Sequence, residues 1–298
     1  MSAQELLVHG RVHCVDRMLV MGVVNASPES FSDASVNPST RARIDLAARL
    51  VDEGAHMIDV GGQSAITNVP ELDAHLERDR VLPIVEWLVK ERPDVLVSVD
   101  TYKPLVVEAV LDAGAHIVND VSGLQHPEVA GMCAGAGAAL VLMHTRARPK
   151  QRLQDRDLYV DVTADVVQFL TERMRVAITQ GLDERALIVD PGPDFTKTPA
   201  QTIAVLRRLD DVRAFGRPVL LALSRKDFLG AITGKTPRGR DAATHAALAY
   251  FAAQPGIVRV HDVAAARDVI ATVEVLSGRT DVAEDYLLPD AIRYERPR

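Results

Sequence analysis

Residues 95–120 read VLVSVDTYKPLVVEAVLDAGAHIVND and contain one complete unit of the fold. An apolar run of strand length, 95–99, ends at Asp100. A segment with helix-like spacing of apolar residues covers 103–113, and a second apolar run covers 116–118. Short runs rich in branched residues predict buried strands, whereas longer amphipathic segments predict helices. The stretch therefore predicts a strand, a helix and a second strand parallel to the first.

The same alternation continues along the chain. Apolar runs of strand length recur eight times, at 19–24, 56–60, 95–99, 116–118, 139–143, 187–189, 218–223 and 257–260. Helix-like segments lie at about 40–53, 71–90, 103–113, 127–135, 162–180, 199–213, 240–253 and 262–276. Eight strands alternating with eight helices predict an α/β fold, the closed (β/α)8 or TIM barrel. An open doubly wound sheet is the alternative.

The two ends of the chain differ from this repeat. Residues 6–15 alternate around Gly10 and predict a hairpin that covers the floor of the barrel, whereas the segment after Ser277 is polar and predicts an irregular tail. We therefore expect a single domain over residues 1–298, with an N-terminal hairpin within 1–17 and a C-terminal tail over 278–298.

The composition restricts the class of protein. Aromatic residues make up only 4% of the chain, so the core must be mostly aliphatic, as in parallel strands buried on both faces. A net charge of −7 argues against nucleic-acid binding. Cys14 and Cys133 do not have the spacing of a disulfide framework or a zinc site. With neither a signal-like amino terminus nor a membrane-length apolar run, we expect a cytoplasmic protein without a membrane partner.

Polar or ionisable residues follow nearly every predicted strand. They are Asn25, Asp59, Asp100, Asn119 with Asp120, His144, Asp190, Ser224 to Lys226, and Arg259 with His261. Taken singly, such residues are often no more than caps of strands and helices. In a barrel, however, the carboxyl ends of all strands meet at one rim, where active sites are built. Carboxylates, an amide and cations at one rim therefore predict an active site.

The segments that contain these residues resemble the signature segments of a known family. In order they read VMGVVNASPESFSD (20–33), IDVGGQS (58–64), SVDTYKP (98–104), IVNDVSG (117–123), LMH (142–144), DPGPDFTK (190–197), LSRKDFLG (223–230) and RVHDV (259–263). They are similar, in order and spacing, to those of dihydropteroate synthases. The resemblance implies a homodimeric, folate-pathway transferase that joins p-aminobenzoate to 6-hydroxymethyl-7,8-dihydropterin diphosphate and releases diphosphate with the help of Mg²⁺.

The resemblance also implies a pterin site. Asp190 would accept paired hydrogen bonds from the N–H edge of the pterin, as carboxylates do from guanidine-like groups. Asp100 and Asn119 would complete this polar edge, Lys226 would reach the acceptor atoms of the pterin, and Met143 would form an apolar floor.

A diphosphate site is implied after the last strand. Arg259 and His261 would point to one side of an extended segment and stabilise the charge of the departing diphosphate. The alternative is that His261 caps the last helix and Arg259 forms a salt bridge at the rim. Asn25 would help to bind Mg²⁺, which favours few protein oxygens plus substrate phosphates. Asp33 would act in catalysis from a first loop that closes over the site.

The p-aminobenzoate pocket is where this chain departs from the family. Ser224, Phe195, Ser27 and Pro28 match the pocket positions of the family, with Ser224 facing the carboxylate. The second loop reads Ser-Ala-Ile-Thr-Asn at 64–68, where the family has Ser-Thr-Arg-Pro-Gly. Further departures are Gln63 for Glu, Asp194 and Thr196 for Gly, Ala222 for Gly, and Asp227 for a small or basic residue.

Three hypotheses follow. The first is the complete dihydropteroate synthase activity. The second is a related protein that binds pterin but is catalytically weak or uses another acceptor, because Ile66 stands where the family has an arginine. The third is a methyltetrahydrofolate-binding barrel of the corrinoid methyltransferase type, which would have no evident use for the diphosphate contacts.

Overall fold

The computed structural model describes residues 4–26, 39–63, 67 and 70–294. Several positions of the predicted loops lie outside the described residues, namely Ser27, Pro28 and Asp33 of the first loop and Ser64, Ala65, Ile66 and Asn68 of the second. Their predicted roles therefore stay predictions.

The chain begins with the predicted hairpin. Strands β1 (Gln4–Val8) and β2 (Arg11–Val15) pair in antiparallel fashion. His9 and Gly10 between them both have positive φ, as a two-residue turn of this kind requires. The N–H of His9 donates to the carbonyl oxygen of Gly137 at 2.7 Å, just before a barrel strand begins. The hairpin therefore covers the amino-terminal end of the barrel, opposite to the rim with the polar residues.

Eight parallel strands form the barrel within the described ranges. They are β3 (Met18–Asn25), β4 (Met57–Gly61), β5 (Leu96–Asp100), β6 (Ile117–Asp120), β7 (Ala139–Met143), β8 (Leu187–Asp190), β9 (Leu220–Leu221) and β10 (Gly256–Val260). The strand order is β8-β7-β6-β5-β4-β3-β10-β9. A parallel bridge between Val189 and Val219 joins the two outer strands, and the N–H of Val189 donates to Pro218 O at 3.0 Å. This closure confirms the barrel and excludes the open sheet.

Helices surround the barrel. Their bounds are α1 (Thr40–Asp52), α2 (Ala74–Glu91), α3 (Pro104–Asp112), α4 (Glu128–Ala136), α5 (Val162–Thr179), α6 (Pro199–Arg207), α7 (Leu209–Arg213), α8 (Asp227–Thr233), α9 (Asp241–Phe251) and α10 (Val263–Leu276). The single helix predicted over 199–213 is wrong, because the chain breaks at Arg208, which has φ −111° and ψ 32°. Helix α8 was not predicted, since it is only seven residues long.

The core consists of strand residues and the inner faces of the helices. Strands β4, β6, β7 and β8 are buried at every position. Because all barrel strands run in one direction, their polar ends are brought to one rim. The tail after Ser277 contains turns and one short 3-10 helix, Asp290–Ile292, as expected for an irregular segment. Among the described helices, none combines the length and apolarity of a membrane span.

Candidate active site

Asp59, at the centre of the rim, receives more polar contacts than the sequence suggests. Its side chain is fully buried on β4. The Ser98 hydroxyl donates to Oδ1 at 2.6 Å, while Asn119 Nδ2 and Arg259 Nε donate to Oδ2 at 3.2 and 2.6 Å. A buried carboxylate is tolerated only when it is paired and hydrogen-bonded in this way. Asp59 therefore orients the amide of Asn119 and the guanidinium of Arg259.

Arg259 connects two carboxylates. Besides its bond to Asp59, its Nη2 donates to Asp100 Oδ2 at 3.1 Å. Burial raises the pKa of Asp100 to about 7, although Arg259 opposes this shift. The rim salt bridge considered as an alternative is thus present, and the guanidinium lies beside predicted pterin residues. The predicted contact of Arg259 with diphosphate stays a prediction.

Asn119 has an open hydrogen-bonding position. Its Nδ2 donates to Asp59, but its buried Oδ1 receives no hydrogen bond from any residue that the structure describes. Buried polar atoms usually have a partner, so this acceptor is suited to an N–H group of a ligand.

Asp190 has a fixed orientation at the end of β8. Its Oδ1 accepts the N–H of Gly192 at 2.7 Å. Burial raises the pKa of Asp190 to about 6, while the Gly192 N–H and the charge of Lys226 oppose this shift. Met143, which is buried at the end of β7, pairs in register with Asp190. The carboxyl group and the apolar side chain predicted for the pterin site thus come from adjacent strand ends.

Lys226 lies against the ring of Phe195, with Nζ at 4.3 Å from the ring centroid. Such a cation–π contact holds the ammonium in place while leaving its hydrogen-bond donors available. Burial lowers the pKa of Lys226, and the charges of Asp194 and Asp190 oppose this shift. The structure therefore joins the residue predicted for the pterin to one predicted for the p-aminobenzoate pocket.

Two of the departures from the family lie in the loop that contains Phe195. Asp194 and Thr196 stand where the family has glycine, and both adopt positive φ, of 66° and 51°. The Asp194 carboxylate also accepts the N–H groups of Asp227 and Phe228, at the start of α8. Thr196 Oγ1 accepts the N–H of Arg146 at 3.1 Å. Side-chain hydrogen bonds thus stabilise a conformation that glycine adopts more easily.

His261 pairs with Ser224 rather than with Arg259. Its Nδ1 lies 2.8 Å from Ser224 Oγ. Burial and, next to it, the neighbouring charge of Arg259 together lower the pKa of His261 to about 4. His261 is therefore neutral at pH 7, so it can offer a hydrogen bond to an anion but not a second fixed charge.

Asn25 ends β3 on the same rim, in register with Gly61 of β4. No group of three histidine, cysteine, aspartate or glutamate residues suited to a metal occurs in the described ranges. A single amide oxygen fits an ion that takes most of its ligands from substrate phosphates, which is the usual behaviour of Mg²⁺.

The described base of the second loop is held by Gln63, although the family has glutamate there. Its Oε1 accepts the N–H of Leu72, and its Nε2 donates to the Tyr102 hydroxyl at 3.3 Å. Behind it, Lys103 Nζ lies 2.8 Å from Glu77 Oε2. The amide thus joins both ends of the loop without adding a charge.

Sequence reasoning missed two parts of the site. Asp59 was noted as a polar strand end but was not placed in the site, because its burial is not visible in the sequence. Lys197, the last residue of the segment DPGPDFTK, was given no role although it is fully buried. The available signal was a charged residue at the end of an otherwise functional segment.

Comparison with known proteins agrees with this geometry. A family model described as pterin-binding enzyme matches residues 21–261. A dihydropteroate synthase of Streptococcus pyogenes is 38% identical over 262 residues, or 86% of this chain and 95% of the relative. The fold and the rim thus define a pterin-binding barrel enzyme. Within that class, the chain belongs to the dihydropteroate synthase family.

Solved structures give the same result. The dihydropteroate synthase of Xanthomonas albilineans with 4-aminobenzoic acid has a TM-score of 0.84 and 36% identity, covering 93% of this chain and 99% of that one. The same organism's enzyme in complex with 7,8-dihydropteroate has a TM-score of 0.78 and 37% identity, covering 90% and 97%.

Proposed function

We propose that this chain condenses 6-hydroxymethyl-7,8-dihydropterin diphosphate with p-aminobenzoate and releases diphosphate, a step of folate biosynthesis. The observation that carries the proposal is the rim cluster, in which Asp190 and the open oxygen of Asn119 lie near the cations Lys226 and Arg259. The similarity to enzymes that bind 4-aminobenzoic acid and dihydropteroate supports these substrates.

Pterin recognition follows from the hydrogen-bonding groups. The carboxylate of Asp190 and the Oδ1 of Asn119 are acceptors, and they suit the N–H groups along one edge of the pterin. Lys226 is a donor and suits its acceptor atoms. Asp59 and Asp100 act through Arg259, whose position they fix at 2.6 and 3.1 Å. Such preorganisation means that little reorganisation is needed when charge develops.

The transfer itself needs no covalent enzyme intermediate. The amine nitrogen of p-aminobenzoate attacks the exocyclic CH2 of the pterin. The carbon–oxygen bond then breaks, its electron pair stays on the diphosphate oxygen, and the amine loses a proton to solvent. Phe195 and Lys226 would hold the aromatic acceptor, and Ser224 would face its carboxylate. Arg259 would stabilise the leaving group, with His261 as a neutral donor.

A magnesium ion fits the polar end of β3. Asn25 would hold it through the side-chain oxygen, and phosphate oxygens of the substrate would complete the shell. When bound, the ion would offset the negative charge that builds up on diphosphate. We expect diphosphate release to depend on Mg²⁺ and to weaken in Asn25→Ala.

The test is a coupled diphosphate-release assay, with and without p-aminobenzoate, next to calorimetric titration of the pterin diphosphate in the same preparation. We expect acceptor-dependent release, a large loss of pterin affinity in Lys226→Met, and no change in the control Lys235→Met, whose side chain is exposed. Binding without release would instead support the catalytically weak relative. Methyl transfer to a corrinoid without Mg²⁺ would support the methyltransferase hypothesis.

We also propose a homodimer. Tyr250 on α9 and Leu276 on α10 are 74% and 82% exposed, and these helices pack against each other. Large exposed apolar side chains on neighbouring helices often mark an interface. Light scattering should give twice the chain mass of 32.4 kDa, and Tyr250→Glu should reduce it. A monomeric wild type would contradict the proposal.

A cytoplasmic location is also proposed. Cys14 and Cys133 are both free thiols, which fits a reducing compartment. Cell fractionation that places the protein outside the cytoplasm would contradict this proposal.

A further inference from the structure

Beneath the loop that follows β8, a lysine is completely buried. The Nζ of Lys197 lies 2.7 Å from His144 Nδ1, 3.0 Å from Gly192 O and 3.1 Å from Phe195 O. An ammonium group has three N–H donors and no acceptor, so these three partners match its full capacity. A neutral amine has one N–H fewer and would leave one partner without a donor.

The hydrogen bonds of His144, one of the three partners of Lys197, determine which of its ring nitrogens carries the proton. His144 Nε2 lies 2.9 Å from Asp165 Oδ1, so the neutral imidazole donates there and accepts from Lys197 at Nδ1. Burial and, next to it, the charge of Lys197 together lower the pKa of His144 to about 4, which agrees with a neutral ring. Arg146 in turn donates to both oxygens of Asp165, at 2.9 and 2.8 Å. The result is a hydrogen-bonded array in the order Lys197, His144, Asp165 and Arg146, with the neutral ring between the ammonium and the carboxylate.

Both carbonyl groups held by Lys197 belong to residues that the site uses. The N–H of Gly192 donates to Asp190, the predicted pterin carboxylate. The ring of Phe195 contacts the ammonium of Lys226 at 4.3 Å. One ammonium group therefore holds the backbone behind both the proposed pterin site and the proposed p-aminobenzoate site.

The loop needs such support because its backbone is unusual. Gly192, Asp194 and Thr196 all have positive φ, and a Cβ on Gly192 would lie 2.2 Å from His144 O. Non-glycine residues in this region persist only where surrounding contacts hold them. The backbone of Gly192 thus passes close to the residue that follows β7, His144.

We propose that Lys197 is a positioning residue of the transferase, which as an ammonium holds Asp190 and Phe195 in the places that the pterin and the amine require. The proposal rests on the transferase function given above. Loss of the proton would leave one of the three partners without a donor and loosen the loop at both substrate sites together.

The charges around Lys197 indicate when this proton is lost. Burial lowers the pKa of Lys197 to about 7, opposed first by Asp190 and then by Asp165, with smaller effects of Lys226 and Asp194. These groups come from β8, α5, the start of α8 and the loop itself, and His144 faces Lys197 from the end of β7. The ammonium is present below its pKa and lost above it, so the positioning effect should decrease at alkaline pH.

The variants are Lys197→Met, Asp165→Asn and a control, Lys90→Met, at an exposed position on α2. In the wild type we expect kcat/KM to fall on the alkaline side. Asp165→Asn should move this fall to lower pH, because Asp165 favours the ammonium, whereas Lys197→Met should abolish it. Lys197→Met should also weaken pterin binding and raise the KM for p-aminobenzoate, each about tenfold or more. Lys90→Met should match the wild type throughout.

Hydrogen exchange gives a readout that does not depend on catalysis. We expect amides of residues 191–198 to exchange at least about tenfold faster in Lys197→Met than in the control. If Lys197→Met does not fold, Asp165→Asn, whose side chain is 27% exposed, provides the same comparison. Unchanged exchange, or an alkaline fall that Asp165→Asn leaves in place, would overturn the proposal. A wild type without turnover but with a loop protected by Lys197 would refute the transferase function alone.

Discussion

Removal of Arg259 tests the centre of the site. In Arg259→Met, the fully buried Asp59 keeps Ser98 and Asn119 as its partners among the described residues, and Asp100 loses its contact at 3.1 Å. Removing one partner of a buried ion pair costs roughly 3–5 kcal/mol of unfolding free energy. Asp100, about a fifth exposed, can relieve part of this cost by taking up a proton.

The loss of unfolding free energy in Arg259→Met should depend on pH. The folded form of Asp100 binds its proton more tightly than the unfolded chain, so this group's contribution to stability falls as pH rises through about 7. Without the guanidinium, the proton is held more tightly still. A tenfold change in proton affinity is worth about 1.4 kcal/mol, and Asp100 of the wild type loses its proton midway between pH 6 and 8, so the loss should grow by up to about 1.4 kcal/mol across this interval.

The assay is urea unfolding of the wild type, Arg259→Met and Arg259→Met/Asp59→Asn at both pH values. The double variant should recover much of the stability, because it no longer buries an unpaired charge, but diphosphate release should stay reduced by about 100-fold or more. An equal loss of stability at both pH values, with no recovery in the double variant, would refute this account of the rim.

Three further predictions concern other parts of the site. Pterin affinity should fall as pH decreases through about 6, because protonated Asp190 loses an acceptor, and Asp190→Asn should bind weakly without that pH dependence in calorimetry. Asp194→Ala should lower the free energy of unfolding by about 2 kcal/mol in thermal unfolding, because it removes the contacts to α8 and keeps a side chain at positive φ. Asp194→Gly removes the same contacts but suits positive φ, so its loss should be about 1 kcal/mol smaller. Equal losses would contradict the role of the backbone. If the missing cation of the second loop limits the reaction, Ala65→Thr/Ile66→Arg should raise turnover up to about 100-fold at unchanged pterin affinity. An unchanged kcat would show that another feature limits the rate.

The barrel could be predicted from the sequence because its signals are local. Each strand is a short apolar run, and a polar residue lies at or soon after the end of nearly every one, a pattern that is visible without knowledge of tertiary contacts. Helix α8 and the break at Arg208 lie in short segments, where tertiary contacts such as the cap from Asp194 decide the conformation. Local propensity carries little information about such contacts.

The candidate site could be predicted only in part. Residues that match family segments were found, but the partners that orient them were not. Asp59 meets Asn119 across 60 positions of sequence, and Lys197 meets His144 across 53. Burial and pairing of charges are properties of the closed barrel, so they emerge only when distant strands come together. The neutral state of His261 has the same origin, since burial causes it.

The bond between Arg259 and Asp59 has a consequence for synthesis of the chain. It joins positions 200 residues apart, so the aspartate leaves the ribosome long before its cation. A nascent chain that lacks β10 would have to bury this carboxylate without its cation. Incomplete barrels therefore carry an electrostatic penalty, and arrival of the last strand both closes the wall and neutralises its interior. Chains that end before Arg259 should consequently be cleaved by proteases more readily than the complete chain.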